Sequence, residues 1–313
     1  MLPLDLPPAA ARAGLRAMAT VARADGRADP AELALIRAAA SALGAPLDDP
    51  DALAPIEATE LAAALPDTAH RTIALQAMIL TALMDGDVSG READAVDRFA
   101  ASLGVDEPRV ANLRQLAEGR MRTLWFDLAR RSFARPVFEQ ALRTKGLGGV
   151  WKIVGPMVGL AKDYDLARRY NDLGHLPEGT LGRAYWRFIV DRELGFPGEG
   201  IVAEAGVWHD LTHVLGGYDT EPSGEVSVVS FIAGYKRDDP FFWLFTIALQ
   251  FHLGVRVSPY SPRAQGHFDP ELVRRAFERG SQVNRDLGTE WNYADDLGRP
   301  LDDVRRDLGV PPP

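Results

Sequence analysis

One stretch of this chain occurs twice, without a gap. Ala17–Gly44, AMATVARADGRADPAELALIRAAASALG, aligns with Ala77–Gly104, AMILTALMDGDVSGREADAVDRFAASLG. Met18 falls on Met78, Asp25-Gly26 on Asp85-Gly86, Glu32 on Glu92 and Gly44 on Gly104. Both copies carry apolar residues at helical spacing on either side of an acidic, glycine-containing turn. Each therefore reads as helix, turn, helix, and neither buries its apolar face alone. Paired, they form a helical bundle. The repeat predicts an all-α N-terminal region.

The acidic turns invite a calcium reading, which the spacing does not complete. Asp85, Asp87, Ser89 and Gly90 stand where an EF-hand loop has its first, third, fifth and sixth residues. The twelfth position calls for a bidentate glutamate and holds Val96, and Pro30 takes the glycine position of the first copy. The residues read instead as helix connections, with Asp29 and Ser89 capping the helices that follow.

At 313 residues, two domains are expected. A net charge of −9 argues against a nucleic-acid partner, which requires a basic surface. Cysteine is absent, which excludes disulfides, thiolate nucleophiles and cysteine-ligated metals. No run reaches the roughly 18 apolar residues of a membrane span, and the first residues lack the pattern of a secretory signal. These features predict a cytoplasmic protein. Texture changes near Ala117–Arg122, where the chain turns more basic and aromatic, so we place the domains at 1–118 and 119–313. KGLGG, residues 145–149, reads as a loop; it lacks the Lys-Ser/Thr of a phosphate loop and the spacing of GxGxxG.

The chemistry concentrates in VWHDLTHVLGGYDTEPSGEVSVVSF, Val207–Phe231, which holds two of the six histidines. Val207, Leu211, Val214 and Leu215 mark the buried side of a helix ended by Gly216-Gly217. His209 and His213, four apart, project together. Two imidazoles one turn apart suit a divalent ion. Asp210 and Glu225 either add oxygen ligands or orient the rings. Zinc suits this mixture best, and iron or manganese also accept it. Aspartate, not glutamate, follows the first histidine, so the zincin protease motif is not present.

Two resemblances to known families extend this reading. The turns ADGRADPAELALI and MDGDVSGREADAV resemble those of the TerB-like family first described from tellurite resistance, over about residues 10–118. That resemblance implies a helical bundle and an acidic metal site drawn from Asp25, Asp29, Glu32, Asp85, Asp87 and Glu92. The pattern His209-Asp210-x-x-His213, eleven residues, then Glu225 resembles the signature of the ubiquinone biosynthesis family of the fourth coenzyme Q protein. PEGTLGRAYWRFI (Pro177–Ile189) and TEWNYADDLGRPLDDVRRDLGV (Thr289–Val310) resemble further blocks of that family in the same order, over about Arg122–Val310.

The second resemblance implies a mainly helical domain with His209, Asp210, His213 and Glu225 as ligands of a divalent metal, usually zinc. It implies an isoprenoid quinone precursor in an apolar groove, partner enzymes of ubiquinone synthesis, peripheral attachment to the inner membrane and a homodimer. The implied activity is metal-dependent oxidative decarboxylation of a prenylated hydroxybenzoate, with hydroxylation of ring carbon 1. The alternative is a lipid-binding scaffold that organises the pathway's enzymes. Zinc is redox-inert, so an oxidative step would favour iron, manganese or an external oxidant.

Three arginines, Arg183, Arg187 and Arg192, lie by the PEGTLGRAYWRFI block; they would hold a ring carboxylate or a diphosphate, or be solvated helix charges. Pro240–Val255, PFFWLFTIALQFHLGV, reads as a buried core helix, the other reading being the wall of an isoprenoid tunnel or an interfacial helix. His252 within it reads as a satisfied core histidine. LDDVRRDLG reads as a capping and surface helix.

Overall fold

The structure, a computed structural model, describes residues 6–131, 163–199, 204–257 and 262–312. The KGLGG loop lies outside the described residues. Helices α1 to α7 cover Pro8–Ala22, Pro30–Ala42, Ala58–Ala64, Thr68–Thr81, Gly90–Leu103, Pro108–Ala117 and Met121–Arg131. Helices α8 to α11 cover Tyr164–Asn171, Leu181–Asp191, Val207–Gly216 and Pro222–Tyr235, and α12 to α14 cover Pro240–Ile247, Pro270–Ser281 and Leu301–Leu308. Among the described residues the only β pairing is two isolated bridges, Thr180–Pro300 and Leu253–Gln265. The fold is all-α. Contacts group residues 1–128 with 239–278, and residues 129–238 with 279–313.

In the first unit the two repeat copies take matching conformations. Asp29 caps α2 and Ser89 caps α5, and each closes a capping box with the glutamate three residues on, Glu32 or Glu92. Gly44 and Gly104 end the copies with φ near +65°, a conformation glycine adopts without strain. Helix α1 packs against α2, α3, α4 and α5. Ala17, Ala19 and Ala22 are fully buried on it and let the neighbouring helices approach closely. Leu15, Ile36, Met78, Ile79, Val96 and Phe99 fill the rest of the core, each worth about 1.5–3 kcal/mol of burial. Arg71 secures the connections, donating to the carbonyls of Ala62, Leu65 and Leu103.

The chain returns to this unit at Asp239, where a buried ion cluster receives it. Arg109, 5% exposed at its side chain, meets Asp239 through two hydrogen bonds of 2.7 and 2.6 Å and Glu107 at 2.7 Å. Asp239 has φ +45°, unusual outside glycine, and its side chain also caps α12 at the Phe242 N–H. Beyond it, Phe241, Phe242, Trp243, Phe245, Ile247, Leu249 and Phe251 are all buried, which fits the core reading of this run. A π turn, Ala248–His252, follows α12. His252 donates from Nε2 to the Met84 carbonyl at 2.8 Å.

In the second unit α11 is buried along its length, from Gly224 to Tyr235, as a helix apolar all round must be. It packs against α10, and α10 packs against α9. Gly280 lies so close to the Phe231 carbonyl that a Cβ there would collide with it. Strand-like pairing of Leu181 and Gly182 N–H groups to the carbonyls of Arg299 and Leu297, at 2.9 and 2.7 Å, fixes the start of α9. No helix among the described residues is long and apolar enough to cross a membrane.

Candidate metal centre

Helix α10 presents the histidines, and its C-terminus is tightly fixed. Gly217 takes φ +71° and ends the helix, as the glycine pair predicts, and the N–H groups of Gly217 and Tyr218 both return to the His213 carbonyl. Arg305 donates to the last free carbonyls, those of Val214 and Leu215, each at 3.0 Å. Arg279 donates to Gly216 O at 3.2 Å and to the Tyr218 hydroxyl at 2.6 Å. Both cations oppose the negative end of the helix dipole. The LDDVRRDLG helix, α14, thus does more than cover the surface: it anchors the helix that carries the histidines.

The turn after α10 then delivers Glu225. A Cβ on Gly224 would collide with the Asp219 side chain and carbonyl, so the residue preceding Glu225 has room only for hydrogen. Glu225 sits in the first turn of α11, with its side chain 12% exposed.

The structure brings His209, His213 and Glu225 together, with one ligand atom of each within 4.8 Å of the others. The histidine ring centroids are 5.0 Å apart. Asp210 stands aside: its Oδ1 lies 3.6 Å from His209 Nδ1, on the His209 flank of the cluster rather than within it. A second acidic group, Asp25, Asp85 and Glu92, gathers in the first unit around the repeat turns. Of the other residues implied for that site, Asp29 caps α2, Glu32 completes the capping box, and the Asp87 side chain accepts from the Val88 N–H.

The protonation of the cluster follows from its hydrogen bonds. His213 Nδ1 lies 3.4 Å from the Tyr218 carbonyl, which only accepts, so Nδ1 carries the proton. In the neutral ring Nε2 then presents a lone pair, and it faces Glu225 Oε1 at 3.4 Å. A divalent cation between the two atoms would take both as ligands. Ligands about 2.0–2.1 Å from a tetrahedral ion stand roughly 3.4 Å apart, which is the separation seen here. Burial works against charge on His209, yet the interaction of its ring N–H with the neighbouring Asp210 carboxylate and the charges of Glu225 and Asp210 outweigh it and hold its pKa above the ordinary value. The same carboxylates favour a bound cation. The donor set fits a divalent ion.

A pocket of about 450 Å³ opens beside the cluster, with His213, Phe188 and Tyr218 on its wall. The Phe188 ring lies 5.4 Å from that of His213. Arg183, Arg187 and Arg192 line it with Glu178, Asp191 and Asp219. Glu178 pairs with Arg183 at 3.1 Å and Arg187 at 2.9 Å, whereas the Arg192 guanidinium lies 4.3 Å over the Phe188 ring. The anchoring arginines Arg279 and Arg305 are features that spacing within the His-Asp-His-Glu pattern did not single out.

No protein-family model matches the chain, and no curated protein matches it. Among solved structures, the chain is similar to a candidate ubiquinone biosynthesis protein from Nostoc punctiforme, at 20% identity over 64% of this chain and 92% of that one, with a TM-score of 0.34.

Proposed function

We propose that this protein acts in ubiquinone biosynthesis, binding a prenylated aromatic quinone precursor at a divalent metal held by His209, His213 and Glu225, with Asp210 as the fourth residue of the set. The observation that carries the reading is the convergence of the three ligand atoms, with His213 Nε2 and Glu225 Oε1 at the spacing of two ligands on one ion. The pocket beside His213 has the volume of a small-ligand site and an aromatic wall. Its resident metal, when bound, would polarise an oxygen of the ring or activate a co-reactant.

Exchange of a ring carboxylate for a hydroxyl at carbon 1 releases carbon dioxide and withdraws two electrons from the ring, so dioxygen or another oxidant is a co-reactant. In this reading Phe188 stacks against the aromatic ring. Arg192, over the Phe188 face, takes the carboxylate end, and Glu178 keeps Arg183 and Arg187 in place around it. Peripheral membrane attachment, partner enzymes and a homodimer belong to the same proposal, as does a TerB-like identity for residues 1–118.

Two measurements test the proposal. Elemental analysis of purified protein, with mass spectrometry of co-purifying lipid, should find about one equivalent of a divalent transition metal and an isoprenoid. A deletion strain should accumulate a carboxylated quinone precursor, restored by wild type and not by His213→Gln. A normal quinone profile in that strain overturns the assignment. Metal and lipid without turnover by the purified protein, oxidant supplied, would favour the scaffold.

A further inference from the structure

The pocket beside the cluster carries three arginines on its wall, and they are not equivalent. Arg183 is held from several sides. Its Nε donates to Glu178 at 3.1 Å, its Nη1 donates to the Gly174 carbonyl, and its guanidinium lies 4.6 Å from the centre of the Trp186 ring. Arg187 meets both oxygens of the same Glu178 carboxylate, each at 2.9 Å. Arg192 differs. Its hydrogen bond to the Phe188 carbonyl, one turn earlier, is stretched to 3.5 Å, and it forms no ion pair with a described carboxylate. Its guanidinium lies 4.3 Å from the centre of the Phe188 ring, and that ring lies 5.4 Å from His213. The open cation is therefore the one joined to the metal centre through an aromatic ring.

Glu178, in the turn ahead of α9, thus occupies two of the three cations with a single carboxylate. Two more carboxylates line the pocket, Asp191 and Asp219. Asp191 is the last residue of α9, and Asp219 is held in the turn after α10, where it accepts from the Glu221 N–H at 3.0 Å. Positive and negative groups on the described wall are equal in number, so it has no surplus charge with which to hold a dianion. What it offers is one open guanidinium, whose planar fork matches one carboxylate. A phosphate or diphosphate needs a second open cation, and Glu178 engages both candidates.

We propose that Glu178 is the specificity residue of this pocket: by neutralising Arg183 and Arg187 it leaves Arg192 alone to receive the ligand, so the site takes an aromatic monocarboxylate and rejects phosphorylated ligands. Of the two anions that the three arginines suggest from sequence, the ring carboxylate is selected and the diphosphate excluded. The inference deepens the reading of the pocket as a site for an aromatic acid, and rests on it.

The test titrates the full chain with benzoate and with phenyl phosphate by calorimetry at about pH 7.5, where a phosphate monoester carries close to two charges. Zinc is added equally to every chain, so its pull on either anion cancels when variants are compared. Wild type should bind benzoate more tightly than phenyl phosphate. Glu178→Gln keeps an acceptor for the arginines and removes the charge, and at 62% exposure the side chain is no part of the core. This variant should move the ratio of the two affinities toward phenyl phosphate by about fivefold, the effect of one charge pair about 4 Å apart in water, and added salt should shrink that shift. Arg192→Gln should weaken benzoate by about tenfold. An unchanged ratio in Glu178→Gln overturns the inference. So does a wild type that favours phenyl phosphate or binds neither anion, and so does full benzoate affinity in Arg192→Gln. If the ratio shifts as expected while the deletion strain keeps a normal quinone profile, the charge rule stands and only the pathway assignment falls.

Discussion

Two buried carboxyl groups, Glu32 and Glu92, should make the first unit lose stability as pH rises through neutrality. They are 2% and 1% exposed, hydrogen-bond each other, and accept from the N–H groups of Asp29 at 2.7 Å and Ser89 at 3.0 Å. Burial is the main cause that pushes Glu32 up from 4.5 to about 8 and Glu92 to about 7, and the nearby charges of Asp85 and, for Glu92, Asp25 act in the same direction. The backbone N–H bonds oppose this without reversing it. Two carboxyls bonded to each other hold a proton between them, and we take the folded pair to keep one through neutral pH.

Both folded-state pKa values lie above the unfolded 4.5, so the contribution to stability is complete below that pH and disappears as the folded pair gives up its proton near pH 7–8. One proton corresponds to about 1.4 kcal/mol per pH unit, or roughly 3 kcal/mol between pH 5 and pH 7. For a unit of this size that is a fall of about 5–10 °C in Tm. Glu32→Gln keeps the acceptor for Asp29 N–H and supplies a permanent donor to Glu92, so it should flatten the profile and raise Tm at pH 8. Scanning calorimetry from pH 5 to pH 8, with a chelator to keep cations from Asp25 and Asp85, reads both chains. If the variant retains the wild-type slope, the shared proton is refuted.

Three further outcomes follow from the geometry. His213→Gln should weaken zinc binding by at least about a hundredfold in a chelator competition, with the far-ultraviolet dichroism unchanged, because one of three convergent ligands is lost. Gly224→Ala should lower stability by about 1–3 kcal/mol in urea and weaken zinc binding as well, since relief of the clash with Asp219 moves the first turn of α11 that carries Glu225. Arg109→Leu should be the most damaging in the first unit, about 3–5 kcal/mol by denaturant unfolding, because Glu107 is left buried without its cation.

Much of this architecture could be read from short-range patterns. The gapless repeat specified two helix–turn–helix units, and the caps Asp29 and Ser89 stand where the acidic turns place them. The i, i+4 histidines and the terminating glycines defined α10 because helix geometry and C-capping are local rules. Glu225 was a candidate from its place at the head of the next apolar run, but eleven intervening residues fix no direction, so its approach to the histidines depends on the packing of α10 against α11. What stayed hidden depends on partners remote in sequence. Arg109 and Asp239 are 130 residues apart, and no pattern near either foretells the other. The same holds for Arg305 on the Leu215 carbonyl, 90 residues away. For Asp210 the spacing allowed either an oxygen ligand or a group orienting the rings, and its place about 100° around the helix axis puts it beside His209.

Arg305 also sets the order in which the site can mature. It closes the carbonyl end of α10 from a position 90 residues downstream, and a ribosome adding about 5–20 residues per second needs roughly 5–20 s to reach it. For that interval the nascent chain carries both histidines on a helix whose terminal carbonyls still lack this donor. A chain interrupted before Arg305 would carry His209, His213 and Glu225 and yet leave the Val214 and Leu215 carbonyls without this donor.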